Sequence, residues 1–179
     1  MIRVLRAADR VATPWKNGGG ITREVAIWPP DSKFLNFDWR ISIAEVREPG
    51  PFSAFEGIDR TMAILRGRLE LRLPDRVLTL DSASDPFAFA GDVPCEGIPL
   101  GGPVTDLNVM VRRGRAAAHV TQFQGVTEMV AESRTILVAT ACTTLRLGNE
   151  EHVLDVLDAA LIADGHVSAT GKGYVIAFS

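Results

Sequence analysis

Residues 61–80, TMAILRGRLELRLPDRVLTL, contain three short segments of apolar or alternating character that are separated by two turns. Arg66-Gly67 and Pro74-Asp75 supply the turn residues, because glycine and the proline–aspartate pair favour chain reversal. The segments therefore predict strands at residues 61–65, 68–73 and 76–80. No part of this stretch sustains the i, i+3, i+4, i+7 spacing over the length that a helix needs.

The same pattern recurs along the chain, with turns at positions such as Pro49-Gly50-Pro51 and Gly101-Gly102-Pro103. Many short strands joined by turns rich in glycine and proline are typical of a sandwich or a barrel. The predicted fold class is therefore all-β. The further predicted strands span residues 21–28, 37–46, 86–90, 106–112, 118–123, 135–140, 143–147, 152–154, 159–163 and 174–178.

The composition is that of an ordinary globular chain, with 46% hydrophobic and 23% charged residues among 179, which excludes disorder and fibres. A net charge of -3 leaves too little basic excess for nucleic-acid binding. We find no apolar run of the roughly 20 residues that cross a membrane and no signal peptide at the start. We therefore expect a cytoplasmic protein with neither nucleic-acid nor membrane partners, whose sheet edges would allow a homodimer.

Charge and aromatic residues are distributed unevenly between two parts of the chain. Residues 1–115 carry sixteen basic and fifteen acidic side chains, whereas residues 116–179 carry three and seven. We predict a first β-unit over residues 1–115 that holds a ligand pocket. A second, smaller unit over residues 116–179 is then a packing partner, completed by strands from the N-terminal part if its own are too few.

Cysteine and histidine are too sparse for familiar metal or nucleophile chemistry. Cys95 and Cys142 stand alone, and we interpret both as buried thiols. His119, His152 and His166 lie far apart, and no second ligand stands at short spacing from any of them. A nucleophile elbow of the G-x-S-x-G type is also missing from the sequence. We therefore expect neither a metal nor another cofactor.

The loop Trp15-Lys16-Asn17-Gly18-Gly19-Gly20 is the densest motif. It opens a predicted strand, whereas the phosphate-binding loops of nucleotide sites open a helix, so it is not a nucleotide loop. Three glycines have two interpretations: a sharp bend into a strand, or room for a ligand to approach the main chain closely.

Two predicted strands carry polar residues on one face. Arg40, Ser42 and Ala44 alternate with apolar neighbours, and Asn108 shares a face with Met110. The face of Arg40 would meet solvent on a sandwich, or would present a guanidinium to a carboxylate inside a barrel. Asn108 would bond either a ligand or the backbone.

Three carboxylates near these strands, Glu45, Glu56 and Asp59, have two interpretations. They could supply acid and base, since a pair of carboxylates suffices for that chemistry when the side chains converge in space. They could instead form salt bridges to Arg40 or Arg60, which is the role we predict.

Several pieces in one order resemble the HutD/Ves family over residues 1 to about 115. The pieces that carry the resemblance are Trp15-Lys16-Asn17-Gly18-Gly19-Gly20 with Thr22-Arg23-Glu24, Trp39-Arg40-Ile41-Ser42, Gly50-Pro51-Phe52-Ser53-Ala54-Phe55, Gly57-Ile58-Asp59-Arg60 and Asp106-Leu107-Asn108.

The resemblance implies a bicupin, two antiparallel β-barrels of the jelly-roll type in one chain, without the cupin metal ligands. It also implies that the protein binds a small acidic metabolite of histidine degradation, of the formylglutamate or formiminoglutamate class. This binding would regulate histidine utilisation, without catalysis. The residues it implicates as ligand-binding are Lys16, Asn17, Arg40, Ser42, Arg60 and Asn108. Two alternatives stay open: a metal-independent hydrolase or isomerase acting on the same compounds, and a structural or partner-binding β-protein.

Overall fold

The computed structural model describes residues 1–32, 36–132 and 134–179. Their secondary structure consists of β-strands and one 3-10 helix, Ala7–Asp9, which confirms the all-β class. The strands are β1 (Ile2–Leu5), β2 (Ala12–Pro14), β3 (Gly20–Trp28), β4 (Trp39–Val46), β5 (Gly50–Pro51), β6 (Ile58–Arg66), β7 (Arg68–Arg72), β8 (Val77–Asp81), β9 (Phe87–Ala90), β10 (Glu96–Pro99), β11 (Val104–Arg112), β12 (Ala118–Ala131), β13 (Thr135–Ala139), β14 (Thr143–Leu147), β15 (Glu150–Leu154), β16 (Ala159–Ile162) and β17 (Gly165–Phe178).

The chain divides into two compact units, which consist of residues 11–117 and of residues 1–10 with 118–179. The sequence predicted units over residues 1–115 and 116–179. The first ten residues differ from the expected 1–115 span, because β1 pairs with β16 in antiparallel register, Ile2 opposite Ile162. The N-terminal strand thus adds to the sheet formed by the C-terminal strands.

The unit of residues 11–117 contains two sheets. The larger has the strand order β2-β3-β4-β11-β6-β9, and the smaller has the order β5-β10-β7-β8. A core of buried apolar side chains from both sheets, including Val46, Ile64, Leu69 and Leu71, fixes the position of the smaller sheet against the larger. The central strands β4 and β11 are buried along almost their whole length.

Gly67 marks the point at which the chain leaves the larger sheet, to which β6 belongs, and enters the smaller one with β7. Its φ of +86° lies in the left-handed region, which favours glycine. A Cβ at this position would also lie 2.9 Å from the carbonyl oxygen of Pro103. The turn predicted at Arg66-Gly67 is therefore the crossing between sheets.

The unit formed by residues 1–10 and 118–179 has one sheet, in the order β1-β16-β13-β17-β14-β15, with β12 paired along β17. Strands β12 and β17 extend beyond the predicted residues 118–123 and 174–178 because each continues through a glycine. Gly125 and Gly171 lie opposite each other with φ values of +91° and +153°. Glycine inside a strand weakens the pattern by which sequence identifies strands.

Four short strands, β1, β2, β5 and β10, were not among the predicted ones. Strands β5 and β10 have the sequences GP and EGIP, and these contain the residues that ordinarily mark turns. Strand β10 pairs with β5 on one side and with β7 on the other, and this pairing holds both short strands extended. The described residues include no helix long and apolar enough to cross a membrane.

Candidate functional site

The polar faces of the larger sheet line one cavity of about 770 Å³. Its wall includes all six residues predicted to bind a ligand: Lys16, Asn17, Arg40, Ser42, Arg60 and Asn108. The wall also includes residues that the sequence did not single out as ligand-binding, among them Glu24, Met62, Asp106 and Met110.

Strand alternation and register bring these side chains together. Successive side chains in a strand point to opposite faces, so Asp106, Asn108 and Met110 share the cavity face of β11. Asn108 lies opposite Ser42 of β4 on one side and opposite Met62 of β6 on the other. The pairing therefore places Asn108 in the middle of the cavity floor. The sequence left open whether the face of β4 that carries Arg40 meets solvent or is buried, and the structure shows that it is buried.

Arg60 is the most deeply buried cation of the cavity, with 5% of its surface exposed. Its Nη2 donates to Oδ1 of Asn108 at 2.7 Å, and its Nη1 lies 3.5 Å from the carbonyl oxygen of Ser53. Its Nε is buried and has no hydrogen-bond partner within residues 1–32, 36–132 and 134–179. Burial lowers the pKa of the guanidinium, an effect that the nearby Cys95 and Asp106 oppose.

Three aromatic rings surround the Arg60 guanidinium. Its Cζ lies 5.7 Å from the ring centroid of Phe52, 5.5 Å from that of Phe55 and 5.0 Å from that of Phe89. Cation–π attraction at desolvated sites is worth about 2 kcal/mol. The rings therefore hold the guanidinium in place without using its N–H donors, and the Nε–H donor has no partner among the described residues.

Asn108 connects Arg60 to a buried carboxyl group. Its amide oxygen accepts from Arg60, and its Nδ2 donates to Oδ1 of Asp106 in a short hydrogen bond. Asp106 is 1% exposed, and burial raises its pKa to about 7, against the opposing effect of Arg60. Strand alternation places Asp106 on the same face as Asn108, and this was the one feature of the sequence that indicated Asp106. The sequence analysis did not predict it as a ligand-binding residue.

A second cation, Arg40, lies on β4 with 9% of its side chain exposed. Its Nε donates to Oε2 of Glu24 at 2.9 Å, and the Glu24 side chain is 45% exposed. Glu24 lies opposite Ser42 in the pairing of β3 with β4. The cavity therefore has a buried cation at Arg60 and a second cation at Arg40 that shares its charge with a carboxylate.

The glycine loop is a tight turn at the cavity rim. Oδ1 of Asn17 accepts from the backbone N–H of Gly19 at 3.0 Å, and Gly18 has a φ of +74°. A Cβ on Gly20 would collide with the carbonyl oxygen of Glu45 and would lie 3.1 Å from the ring of Trp15. The bend thus accounts for the glycines, while Lys16 and Asn17 line the cavity from exposed positions.

Gly97 gives the Phe52 ring its place in the wall, because a Cβ on Gly97 would overlap that ring. We expect Gly97→Ala to displace Phe52 and to weaken ligand binding about tenfold, because the contact of that ring with the Arg60 guanidinium is worth about 1–2 kcal/mol. Gly50→Ala is the matched control: Gly50 pairs directly with Gly97, and its Cβ would meet only Nδ2 of Asn17, at 3.6 Å. Calorimetric titration of both variants measures the effect, and equal affinities would contradict this role of Phe52.

The carboxylates considered for acid and base chemistry, Glu45, Glu56 and Asp59, are not among the residues that line this cavity. The salt bridges predicted to Arg40 or Arg60 are also wrong for two of them. Glu45 pairs with Arg47 at 2.6 Å, and Asp59 pairs with Arg113 at 2.7 Å. The cross-strand register causes the difference, because Met110 stands opposite both Arg40 and Arg60 and no carboxylate does.

Cys95 is buried near Arg60, as predicted for a buried thiol, whereas Cys142 is exposed, which corrects the prediction for it. Cys142 follows the end of β13 and precedes β14, so it lies in a connection at the surface. Within the part of the chain that the structure describes, no group of three or more His, Cys, Asp or Glu side chains could hold a metal ion.

Residues 7–177 match the model of the HutD family. An uncharacterised 21.2 kDa protein of the hutC 3′ region of Pseudomonas putida is 33% identical over 165 residues, which cover 88% of this chain and 84% of that protein. Protein Ves of Citrobacter koseri is 37% identical over 108 residues, 59% of this chain and 56% of its own length.

Two solved structures are similar to this chain. HutD from Pseudomonas fluorescens SBW25 superposes with a TM-score of 0.88 at 30% identity, over 100% of this chain and 98% of that one. A cupin 2 conserved barrel domain protein from Leptotrichia buccalis superposes with a TM-score of 0.61 at 8% identity, over 93% and 91% of the two chains. The second similarity shows that the fold is cupin-like.

Proposed function

The chain belongs to the HutD family, and from this premise we propose that residues 11–117 bind a small acidic metabolite of the formylglutamate or formiminoglutamate class and thereby regulate histidine utilisation without catalysis. The Pseudomonas putida relative is a protein of the hutC 3′ region, which supports the pathway. The proposal includes a metal-free site and a two-barrel, bicupin architecture, which the cupin-like neighbour supports at the level of the fold.

The observation that carries the proposal is the buried Arg60 with an unpartnered Nε in the wall of the cavity. A buried guanidinium is costly unless its donors are satisfied, because desolvation penalises the charge and each unused N–H. Its bonds reach an amide and a carbonyl, and no carboxylate oxygen lies within 4 Å of it in the described structure. A ligand carboxylate would therefore supply the directly bonded anion that the guanidinium lacks.

The rest of the cavity suits a ligand with a second anionic group and an amide-like end. Arg40 lies on β4, with β11 between it and the strand of Arg60, and Lys16 lies at the rim. Ser42 and Asn108 supply neutral donors and acceptors. A volume of about 770 Å³ lies within the roughly 300–1,000 Å³ typical of small-molecule sites. Formylglutamate, with two carboxylates and a formamide, matches this set of groups.

Thermal denaturation against a panel of ligands tests the proposal. The panel consists of formylglutamate, formiminoglutamate, urocanate, histidine and glutamate, each with and without a chelator. A bound ligand at 100 times its Kd adds about 2.7 kcal/mol, which corresponds to a rise of roughly 5–11 °C in Tm for a chain of this size. We expect that rise for the formylated or formimino acid alone, and we expect it to be insensitive to the chelator.

A panel without any shift would contradict the proposal, and a shift abolished by the chelator would contradict its metal-free part. Proton NMR of the same mixtures separates binding from catalysis, because a hydrolase or an isomerase would convert the added compound. Unchanged ligand spectra after prolonged incubation are expected. A ligand consumed by the protein would favour the enzyme alternative and direct attention to Asp106, the buried carboxyl group of the cavity.

A further inference from the structure

We propose that Asp106 takes up a proton when an anionic ligand binds at Arg60, so that the ligand replaces Asp106 as the counter-ion of the buried guanidinium. This inference rests on the proposed function and adds a residue and a mechanism to it. Asp106 is then a positioning residue, because its protonation state determines whether the cavity accepts the ligand.

The geometry places Asp106 close to Arg60 without a direct ion pair. Asp106 is 1% exposed, and Asn108 stands between the two charged groups, bonded to both. No Lys, Arg or His nitrogen of the described residues lies within 4 Å of an Asp106 oxygen. The Asn108 side chain therefore bridges Asp106 and Arg60, and its two hydrogen bonds fix the orientation of its amide.

Charge balance makes proton uptake the expected response to a ligand. Arg60 is the charged group that favours the ionised form of Asp106, and burial opposes ionisation and raises its pKa to about 7. An anion bonded to Arg60 cancels that favourable field and adds a negative charge nearby, and both effects raise the pKa of Asp106 further. The carboxyl group then protonates and remains a hydrogen-bond acceptor for Asn108.

The other charged groups around the cavity do not stand between this pair. Arg40 on β4 is paired with Glu24 on β3, and Lys16 lies exposed at the rim. Cys95, just before β10, is buried near Arg60, and burial raises its pKa, so the thiol stays neutral near pH 7. Asp106 is therefore the group on the cavity floor that titrates as the ligand enters.

The direction of the pH dependence follows from the two states. Below about pH 7 Asp106 is already protonated in the empty protein, so binding takes up little further hydrogen ion. Above pH 7 the empty protein holds Asp106 ionised, and binding must supply a proton. Affinity then falls by up to tenfold for each unit of pH, until the pKa of the ligand-bound state is reached.

Isothermal titration of N-formyl-L-glutamate in paired buffers measures the proton directly. Hepes and Tris differ in ionisation enthalpy, so the difference in observed heat at about pH 8 gives the number of protons taken up. Mes and Bis-Tris serve the same purpose at about pH 6. Both ligand carboxylates are ionised at both pH values. We expect close to one proton at the higher pH and far less at the lower.

Two variants assign the proton to its group. Asp106→Asn keeps the oxygen that accepts from Asn108 and removes the titration, so binding should lose both its proton uptake and its pH dependence. Glu24→Gln removes the other cavity carboxylate, and the proton number should be unchanged in that variant. If Asp106→Asn does not fold, the proton number of the wild type at the two pH values still tests the inference, and Glu24→Gln still tests the other cavity carboxylate.

Each outcome has a distinct meaning. Binding without proton uptake at pH 8 would overturn this inference and leave the proposed function standing. Uptake that persists in Asp106→Asn, or that vanishes in Glu24→Gln, would assign the proton elsewhere and would also overturn it. No binding at either pH would contradict the proposed function and, with it, the inference.

Discussion

Arg60→Met is expected to weaken the binding of formylglutamate by roughly 100-fold or more while changing the stability of the fold by less than about 2 kcal/mol. The variant removes the buried guanidinium whose Nε lacks a protein partner. Hydrogen bonds to charged groups contribute about 1.5–3 kcal/mol each, so losing two of them exceeds the 2.7 kcal/mol of a 100-fold change. Isothermal titration gives the affinity, and urea denaturation gives the free energy of unfolding.

The stability half of this prediction depends on the three rings around the guanidinium. A methionine side chain in their place keeps apolar contacts with Phe52, Phe55 and Phe89, and sulfur packs favourably against aromatic rings. The replacement also removes the desolvation penalty of a buried charge. The loss of the hydrogen bond to Asn108 opposes these gains, so we expect the net change in the free energy of unfolding to be small.

Arg72→Met is the matched control, because Arg72 lies on β7, is half-exposed and pairs with Glu70 at the surface. We expect its affinity to equal that of the wild type, and its stability to change by less than about 1 kcal/mol. Equal affinities for Arg60→Met and Arg72→Met would contradict a binding role for Arg60. A large loss of stability in Arg60→Met alone would instead assign the residue to the fold.

Asp158→Ala is expected to destabilise the unit formed by residues 1–10 and 118–179 by about 2–4 kcal/mol, because it leaves three hydrogen-bond donors, two of them backbone N–H groups, without their acceptor. The Asp158 carboxylate accepts from the backbone N–H of Ala7 at 2.7 Å, from Nη1 of Arg6 at 2.7 Å and from the backbone N–H of Asp155 at 3.1 Å. It thereby ties the N-terminal segment to the C-terminal strands. Thermal denaturation should show a fall of roughly 10 °C in Tm.

Asp155→Ala is the control, since the Asp155 side chain is exposed and its backbone contacts survive the change. A shift in Asp155→Ala as large as that in Asp158→Ala would show that any aspartate in this turn has the same effect. Burial raises the pKa of Asp158, but the bonds from Ala7, Arg6 and Asp155 outweigh it and lower the pKa overall. The stabilisation is therefore present above the ordinary pKa of an aspartate, about 3.9, and is lost as the pH falls through the folded value.

The cavity shows how far a strand pattern predicts a site. Alternation alone separates Arg40, Ser42 and Ala44 from Trp39 and Ile41, since side-chain direction in a strand repeats every two residues. Whether the polar face meets solvent or a cavity depends on the second sheet, which the order β5-β10-β7-β8 places in the same unit. Sequence therefore predicted which residues share a face, and the tertiary structure decided that this face is buried.

Partners across strands were beyond the reach of local patterns. Arg60 and Asn108 are 48 positions apart, and their bond exists because β6 and β11 pair in a register that sets Met62 opposite Asn108. The predicted salt bridges of Glu45 and Asp59 failed for the same reason. A register shift of one residue moves every side chain of a strand to the other face, and the register depends on the paired strand and the connecting turns as well as on the pattern within one strand.

By itself, the sequence determined the all-β class, the positions of most strands and the two faces of each, because strand periodicity and turn residues act over a few neighbouring positions. The motifs also determined the family. Only the tertiary structure decided that Gly67 is the crossing between two sheets, that Gly97 makes room for Phe52, and that Arg60, Asn108 and Asp106 form one buried chain of contacts. The physical reason is that burial, hydrogen-bond partners and shifted pKa values depend on which distant strands pack together, and local sequence does not encode that packing in any readable pattern.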